Sequence, residues 1–557
     1  MSNSEIAEII ELTGKLLDLH DLEEMRSKIY LSSVFNLERI EEPLSEMTEN
    51  ELMGIRGIGK LMAKNIVEIV KTQTLAELQN LISLTPEGVF GLFKVKGLGV
   101  KKIKILWKEL GIDNINDLKI ACQNDKIKGT KGFGGKTQDS ILESLAFLQA
   151  QQGKLRMNIA EDLSNQIIES IKFYYSEVFA VGQVIRKCEV VDLLQFIIIK
   201  DGFGSIKLPE GVFEHDLKNS SPSVWRGFYA GNQIKIEIEK VNSRDFIVKK
   251  FVKDADEKHL KFINENGLSL LSHLNTEVFS SEIDIYKSFG VPYIIPEMRE
   301  GLSEFEWANR HDINELVSFE SLKGTLHNHS TYSDGKHTLK QMADYCKSLG
   351  LEYFGIADHS QTAQYASGLK PEIVLKQQKE IDVLNENYLD FKILKGIESD
   401  ILINGNLDYE VEILKTFDYV VASVHSVLNM DLEKATNRLI KAIENPFTSI
   451  LGHLSGRLLL SRNSYPLDYP KIIDACAANK VSIELNASPY RLDIDWRWIQ
   501  LCLEKGVMIS INPDAHEMLG ILDMHYGVSV GRKAGLISKM TLNSLSLPEI
   551  LKVFKKK

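Results

Sequence analysis

The sequence is short of the features that mark secreted, membrane-spanning or zinc-finger proteins. Its five cysteines (Cys122, Cys188, Cys346, Cys476, Cys502) are odd in number, widely scattered and never in CxxC pairs. That excludes a disulfide framework and a cysteine-zinc module, and predicts buried thiols. No stretch approaches the roughly 18 uninterrupted apolar residues of a membrane span. The opening MSNSEIAEIIELTGK lacks a basic segment followed by an apolar one, so a cytoplasmic location and no membrane partner are expected. The depletion of apolar residues that marks a disordered chain is also missing, since 44% of residues are hydrophobic and 26% charged. At 557 residues, several times the usual domain length, the chain should hold three or four folding units.

The net charge of −11 argues against a nucleic-acid partner only if it is spread evenly. It is not. Residues 1–50 carry 12 acidic against 4 basic side chains, whereas residues 51–136 carry 15 basic against 8 acidic. A basic module sits inside an acidic protein.

Texture divides the chain further. The first third reads as short amphipathic helices joined by glycine turns, such as LMAKNIVEIVK and KTQDSILESLAFLQA. From about Val178 the stretches FAVGQVIRKCEVVDLLQFIIIKDGFGSIKLP and GNQIKIEIEKV are β-rich. Beyond Leu322, apolar strands alternate with helices of 10–15 residues, which predicts a parallel α/β architecture. Seven of these strands end in polar residues: GTLHNH, GIADHS, LKGIESD, VVASVHS, ILGHLSG, SIELNAS and ISINPDAH. In a βα-barrel such ends converge on one mouth, so residues distant in sequence assemble a single site.

Eight of the 13 histidines lie between His327 and His525, and six of them stand at those strand ends. His327 and His329, one residue apart in a strand, should point to the same side, as two ligands of one metal would. With Asp334 in the following loop and Glu398 and Asp514 at other strand ends, the candidate ligands are His327, His329, Asp334, His359, Glu398, His425, His453, Asp514 and His516. A lone histidine is usually a satisfied core or surface residue, but apolar strands that repeatedly end in ligand types have no packing rationale. His337 and His525 end no strand and are set aside.

LHNHSTYSDG, GIADHS, GIESDI, SVHS, GHLSGR and NPDAH resemble the successive motifs of the PHP (polymerase and histidinol phosphatase) domain over residues 322–557. The resemblance implies a distorted (β/α)7 barrel holding three divalent ions, zinc or manganese, that hydrolyses phosphoesters, with all nine candidates as ligands and as the catalytic set. Close divalent ions bring the pKa of a bridging water toward neutrality and offset the charge of the phosphate oxygens. Arg457, just past GHLSG, is the candidate phosphate clamp, because a guanidinium matches phosphate oxygens bidentately.

The helical third repeats one device three times: Gly57-Ile58-Gly59, Gly97-Leu98-Gly99 and Gly132-Phe133-Gly134, each before a helix, with Lys60, Lys101, Lys102 and Lys136 nearby. Such hairpins offer backbone amides to one phosphate. They resemble helix-hairpin-helix motifs, which implies DNA contact without sequence preference. With IYKSFGVPYIIPEMREGLSEFEWA as the link, nearly the whole chain resembles bacterial family X DNA polymerases that end in a PHP domain. Where eukaryotic relatives carry the Schiff-base lysine of a lyase site, this chain has Asn65, with Lys60 and Lys64 close by. An amide cannot form an imine.

A family X palm has a Gly-Ser pair, then two aspartates one residue apart, and a third on a neighbouring strand, because nucleotidyl transfer needs carboxylates around two Mg²⁺ ions. Here Gly182 precedes Gln183, Asp192 precedes Leu193 and Leu194, and the only substitutes in view are Glu237 and Glu239. The nucleotide-contacting Thr-Gly-Ser stretch is replaced by FVKDADEKHLKFI. The expected division is a helical DNA-binding region at 1–150, a degenerate palm and thumb at 151–290, a linker at 291–321 and the PHP domain at 322–557. The expected function is a metal-dependent 3′-5′ exonuclease or other DNA-end phosphoesterase in repair, a monomer acting on gapped DNA or free 3′ ends. Two readings compete with it: an active family X polymerase in base excision repair, and a non-catalytic DNA-end scaffold.

Overall fold

The computed structural model describes residues 1–37, 40, 42–201, 204–230 and 233–555. Gly202, Phe203, Gly231 and Asn232 of the β-rich stretches, and Lys556 and Lys557, lie outside the described residues. The chain forms two compact units, Met1–Gln152 and Gly153–Lys557. No helix among the described residues is long and apolar enough to cross a membrane. The cysteines are all thiols, and all but Cys188 are buried.

The first unit is helical. Its opening helix, Asn3–Leu19, is started by a capping box between Ser2 and Glu5, and its buried face (Ile6, Ile10, Leu17) joins the core of the unit. The three glycine hairpins have one construction. Gly57, Gly97 and Gly132 take left-handed φ values of 95°, 86° and 91°, a conformation that side chains resist. Ile58, Leu98 and Phe133 then plug into the core at 5%, 6% and 3% exposure. Gly59, Gly99 and Gly134 stand at the N-caps of Lys60–Thr72, Val100–Lys104 and Gly135–Gln151, with no side chain capping the amides.

The second unit begins with a mixed sheet of β1 (Val178–Val181), β2 (Leu193–Ile199), β3 (Phe213–His215), β4 (Val224–Tyr229) and β5 (Lys235–Val241). The spatial order is β1-β2-β5-β4-β3, with β2 and β5 parallel and the other pairs antiparallel. Being central, β2 is apolar on both faces: Leu194, Phe196 and Ile198 pack with Ile236 and Ile238, while Ile197 packs with Val181 and Val241.

Beyond residue 322 all strand pairs in the sheets are parallel. One sheet holds β6 (Gly324–Thr325), β7 (Tyr353–Gly355) and β8 (Lys392–Leu394). The other runs in sequence order through β9 (Gly396–Asp400), β10 (Tyr419–Ser423), β11 (Ile450–Leu451), β12 (Ser482–Asn486) and β13 (Ile509–Asn512). Single parallel bridges, His359 to Glu398 and Asn328 to Ala515, join the two sheets into a ring. Only Lys395 separates β8 from β9, so the seven strand ends read from the sequence all belong to this ring. Helices such as Leu339–Ser348 and Leu432–Ile443 return the chain between strands.

A polar seam ties the mixed sheet to the ring. Glu189 accepts hydrogen bonds from Trp496 Nε1 at 3.2 Å and Arg497 Nη1 at 2.9 Å. Lys533, 3% exposed, donates to the Arg186 carbonyl at 2.9 Å and pairs with Glu300, which also lies 3.4 Å from the Arg186 guanidinium.

Candidate metal centre in the parallel ring

All nine candidate ligands meet at one end of the ring. Strand alternation governs the first pair: the Asn328 amide turns away to bond the Gly355 carbonyl at 2.9 Å, leaving the His327 and His329 rings 5.3 Å apart. The loop that carries Asp334 is pinned by buried Asp358, which accepts from Ser330 N at 2.7 Å and Ser330 Oγ at 2.7 Å. Glu398 is the hub. Its Oε1 lies 3.3 Å from His327 Nε2, 3.1 Å from His425 Nε2 and 2.9 Å from His453 Nε2, and its Oε2 lies 2.9 Å from His359 Nδ1. Asp514 stands 3.1 Å from His329 Nε2 and adopts a left-handed φ of 55°, backbone strain of the kind that gathers at functional sites. Asp334 reaches His516 Nε2 at 3.4 Å and His359 Nε2 at 3.6 Å.

Four overlapping groups of three or four of these residues keep their donor atoms within 4.8 Å of one another, and together the groups include all nine. His327 Nε2, His329 Nδ1 and His453 Nδ1 are buried without a hydrogen bond. Buried polar atoms are otherwise paired, so lone pairs left over beside two buried carboxylates fit a set of divalent cations.

Charge coupling is strong throughout. Burial opposes charge on His425, but Glu398 and Asp400 outweigh it and push its pKa up to about 10. Burial and the neighbouring His516 and His359 instead hold His329 down to about 3. Burial also disfavours the charged carboxyls of Glu398 and Asp514, yet the surrounding imidazoles hold both well below the usual range.

Several functional residues were not read from the sequence. Glu484, fully buried on β12, accepts from His327 Nδ1 at 2.7 Å, His453 N at 2.8 Å and Asn512 Nδ2 at 3.0 Å. Asp400 accepts from His425 Nδ1 and from Thr362 Oγ1. Both carboxylates sit in strand-end segments that the sequence had marked, SIELNAS and GIESD. Arg457 is engaged within the protein. Its Nε and Nη1 bond Arg491 O and Asp495 Oδ2, each at 3.0 Å, and Nη2 bonds Leu492 O, so the guanidinium is engaged in holding a loop. The arginine that reaches the cluster is Arg491, with Nε 3.5 Å from Asp514 Oδ2. His337 accepts from Met518 N, and His525 is exposed against Leu522 O; neither joins the cluster.

Comparison with known proteins agrees with this layout. A helix-hairpin-helix domain model matches residues 1–75 and a PHP domain model residues 325–488. A Bacillus subtilis (strain 168) protein named DNA polymerase/3′-5′ exonuclease PolX is 32% identical over 99% of both chains. The chain belongs to the bacterial PolX family. Its C-terminal part is also similar to stand-alone proteins: a probable phosphatase of Thermoanaerobacter sp. (strain X514) is 30% identical over 39% of this chain and 89% of its own length. A probable phosphatase of Acetivibrio thermocellus is 28% identical over 34% of this chain and 78% of its own.

In the mixed sheet of this PolX family member the picture differs. Gln195 on β2 faces Glu237 on β5 in register, and its Nε2 donates to Glu237 Oε1 at 3.0 Å. Lys253 Nζ lies 2.7 Å from Glu237 and 2.9 Å from Glu239, and Arg226 Nη2 lies 2.7 Å from Glu237. Burial would raise the Glu237 carboxyl, but Lys253, with Gln195 and Arg226, brings it down to about 2. Asp192 accepts from Gln183 Nε2 at 2.8 Å. Among the described residues, no group of acidic or histidine ligands forms on this sheet. In the helical unit, Asn65 is buried and donates to Tyr30 Oη at 2.7 Å.

Proposed function

We propose that the chain is a metal-dependent 3′-5′ exonuclease that trims DNA ends, and that its middle sheet no longer polymerises. The observation that carries the nuclease reading is the convergence of nine ligand-type side chains with unpaired imidazole nitrogens at one end of the ring. On this reading residues 322–557 form the distorted (β/α)7 barrel of the PHP domain, and the nine hold three divalent ions, zinc or manganese. When bound, such ions act as Lewis acids on the phosphoryl group and make water acidic enough to react near neutral pH.

The chain's own residues supply the rest. Glu484 fixes the His327 proton on Nδ1 and so turns Nε2 toward the cluster, and Asp400 does the same for His425. Arg491 takes the phosphate-neutralising role that the sequence had suggested for Arg457. Residues 1–150 supply sequence-independent DNA affinity through Gly57, Gly59, Lys60, Gly97, Gly99, Lys101, Gly132, Gly134 and Lys136. Replacing Gly57 and Gly97 by valine should weaken DNA binding about tenfold at fixed salt. A strong preference for one base sequence in filter binding would contradict the backbone-reading role.

Loss of polymerisation rests on Gln195 and on the lysine and arginine that already neutralise Glu237, because two close Mg²⁺ ions need uncommitted carboxylates. The rival reading, an active polymerase, is favoured by the match to a protein named DNA polymerase/3′-5′ exonuclease along the whole chain, the palm segment 151–290 included. One preparation decides between them. Metal content by mass spectrometry, DNA degradation and primer extension are measured together, and degradation without extension is expected. Robust extension that is lost in Glu237→Ala and kept in His329→Ala would establish a working polymerase.

A further inference from the structure

Beside the buried cluster one aromatic ring stands in the open. Tyr365 lies in the single turn Gln364–Ala366, which follows the strand end bearing His359. Ala363 and Ala366 on either side are buried at 0% and 1%. A Cβ on nearby Gly368 would come within 2.0 Å of the Ser360 carbonyl. The turn is therefore clamped to the ring while its tyrosine is not: Tyr365 is 67% exposed. Its ring centroid is nonetheless only 6.1 Å from that of His359 and 6.5 Å from that of His425. Lone exposed aromatics are ordinary on protein surfaces, but this one borders two histidines of the candidate centre.

A ring in that place has a natural use. A phosphodiester held at the cluster carries a sugar and a base with it, and an exposed ring about one nucleotide away presents a face to that base. Stacking of this kind is indifferent to base identity, because every base has a π face. It also has a geometric consequence: a base lying on a protein ring has left its place in a duplex stack.

We propose that Tyr365 is the stacking platform for the base of the terminal nucleotide whose phosphodiester lies at the histidine cluster. This rests on the exonuclease reading. Arg491, with Nε 3.5 Å from Asp514 Oδ2, serves the phosphate while Tyr365 serves the base.

The test uses the full, metal-loaded chain and a short single-stranded oligonucleotide, with a second oligonucleotide identical except for an abasic 3′-terminal residue. Tyr365→Ala should raise KM for the base-bearing end about tenfold, equivalent to about 1.4 kcal/mol and within the range of one base–aromatic stack. The kcat should change little, and metal content by mass spectrometry should stay parental. Tyr365→Phe, which keeps the ring, should restore KM. On the abasic end, parent and Tyr365→Ala should have the same KM. Equal KM for parent and Tyr365→Ala on the base-bearing end would overturn the stacking assignment alone, as would an equal loss on both oligonucleotides. Failure of the metal-loaded parent to degrade either oligonucleotide would sink the exonuclease reading and this inference with it.

Discussion

The parallel ring and the mixed sheet both carry carboxylates on or just past their strands, Glu398 and Asp514 in the ring and Glu237 and Glu239 in the sheet, and they treat them in opposite ways. In the ring, Glu398 and Asp514 face imidazoles, side chains whose neutral nitrogens can ligate a metal. In the sheet, Glu237 and Glu239 face Lys253, Lys249 and Arg226, whose charges are permanent near neutral pH. The first arrangement offers donor atoms that suit metal cations; the second is neutralised by cations of the chain's own side chains. A carboxylate cluster therefore signals metal chemistry only through what stands opposite it.

The largest effect should come from dismantling the ring's side of this contrast. His329→Ala or Asp514→Asn should reduce DNA degradation by at least about 10³-fold and lower the bound metal, read by a gel assay and mass spectrometry. If both variants degrade DNA as fast as the parent, the ring is not the active site. Glu484→Gln should act more mildly, because it leaves every candidate ligand in place and alters only the group that orients two of them. Metal affinity, measured by competition with a chelator, should fall about 10–100-fold. An unchanged affinity would mean that His327 needs no help from Glu484.

The smallest effect tests the sheet. Glu237→Gln should leave nuclease activity untouched and reduce stability near pH 7 by about 1–3 kcal/mol, since Lys253 and Arg226 lose a charged partner. The folded carboxyl titrates at about 2, below its ordinary value of 4.5. The unfolded chain therefore takes up this proton first as pH falls. The contribution is complete above about 4.5 and is lost as pH drops through about 2, so the gap between parent and variant in urea titrations should close over that window. A gap that stays constant to pH 2 would show that the Glu237 carboxylate is not held by these cations.

Much of the ring was legible because residues of ligand type stand at the ends of apolar runs, where packing gives them no reason to be. The His-x-His pair needed only strand alternation. Glu484 was visible as a charge inside an apolar strand, but its role depends on His327 from a strand 157 residues away. Arg457 neighbours a strand end in sequence, whereas its partners, Arg491 O, Leu492 O and Asp495, belong to a loop that sequence cannot bring alongside. Arg491 and Tyr365 carry no local signal at all. In the sheet, the missing aspartate pair was plain at Asp192, but the facing of Gln195 and Glu237 depends on the register of a parallel pair. The doubly apolar strand LLQFIII hides that register.

The seam between sheet and ring gives the mixed sheet a structural role beside any chemistry it performs. Lys533 is almost fully buried, and its ammonium is satisfied by the Arg186 carbonyl and by Glu300, both contributed by segments that precede the ring. Trp307, from the connecting segment, likewise donates its indole proton to the Gly535 carbonyl at 2.9 Å. Excising the earlier segments would strip partners from the Trp496 indole and from a buried cation. A deletion that removed the mixed sheet whole would leave the ring with a raw edge, so the ring leans on that sheet as masonry whatever work the sheet does as a tool.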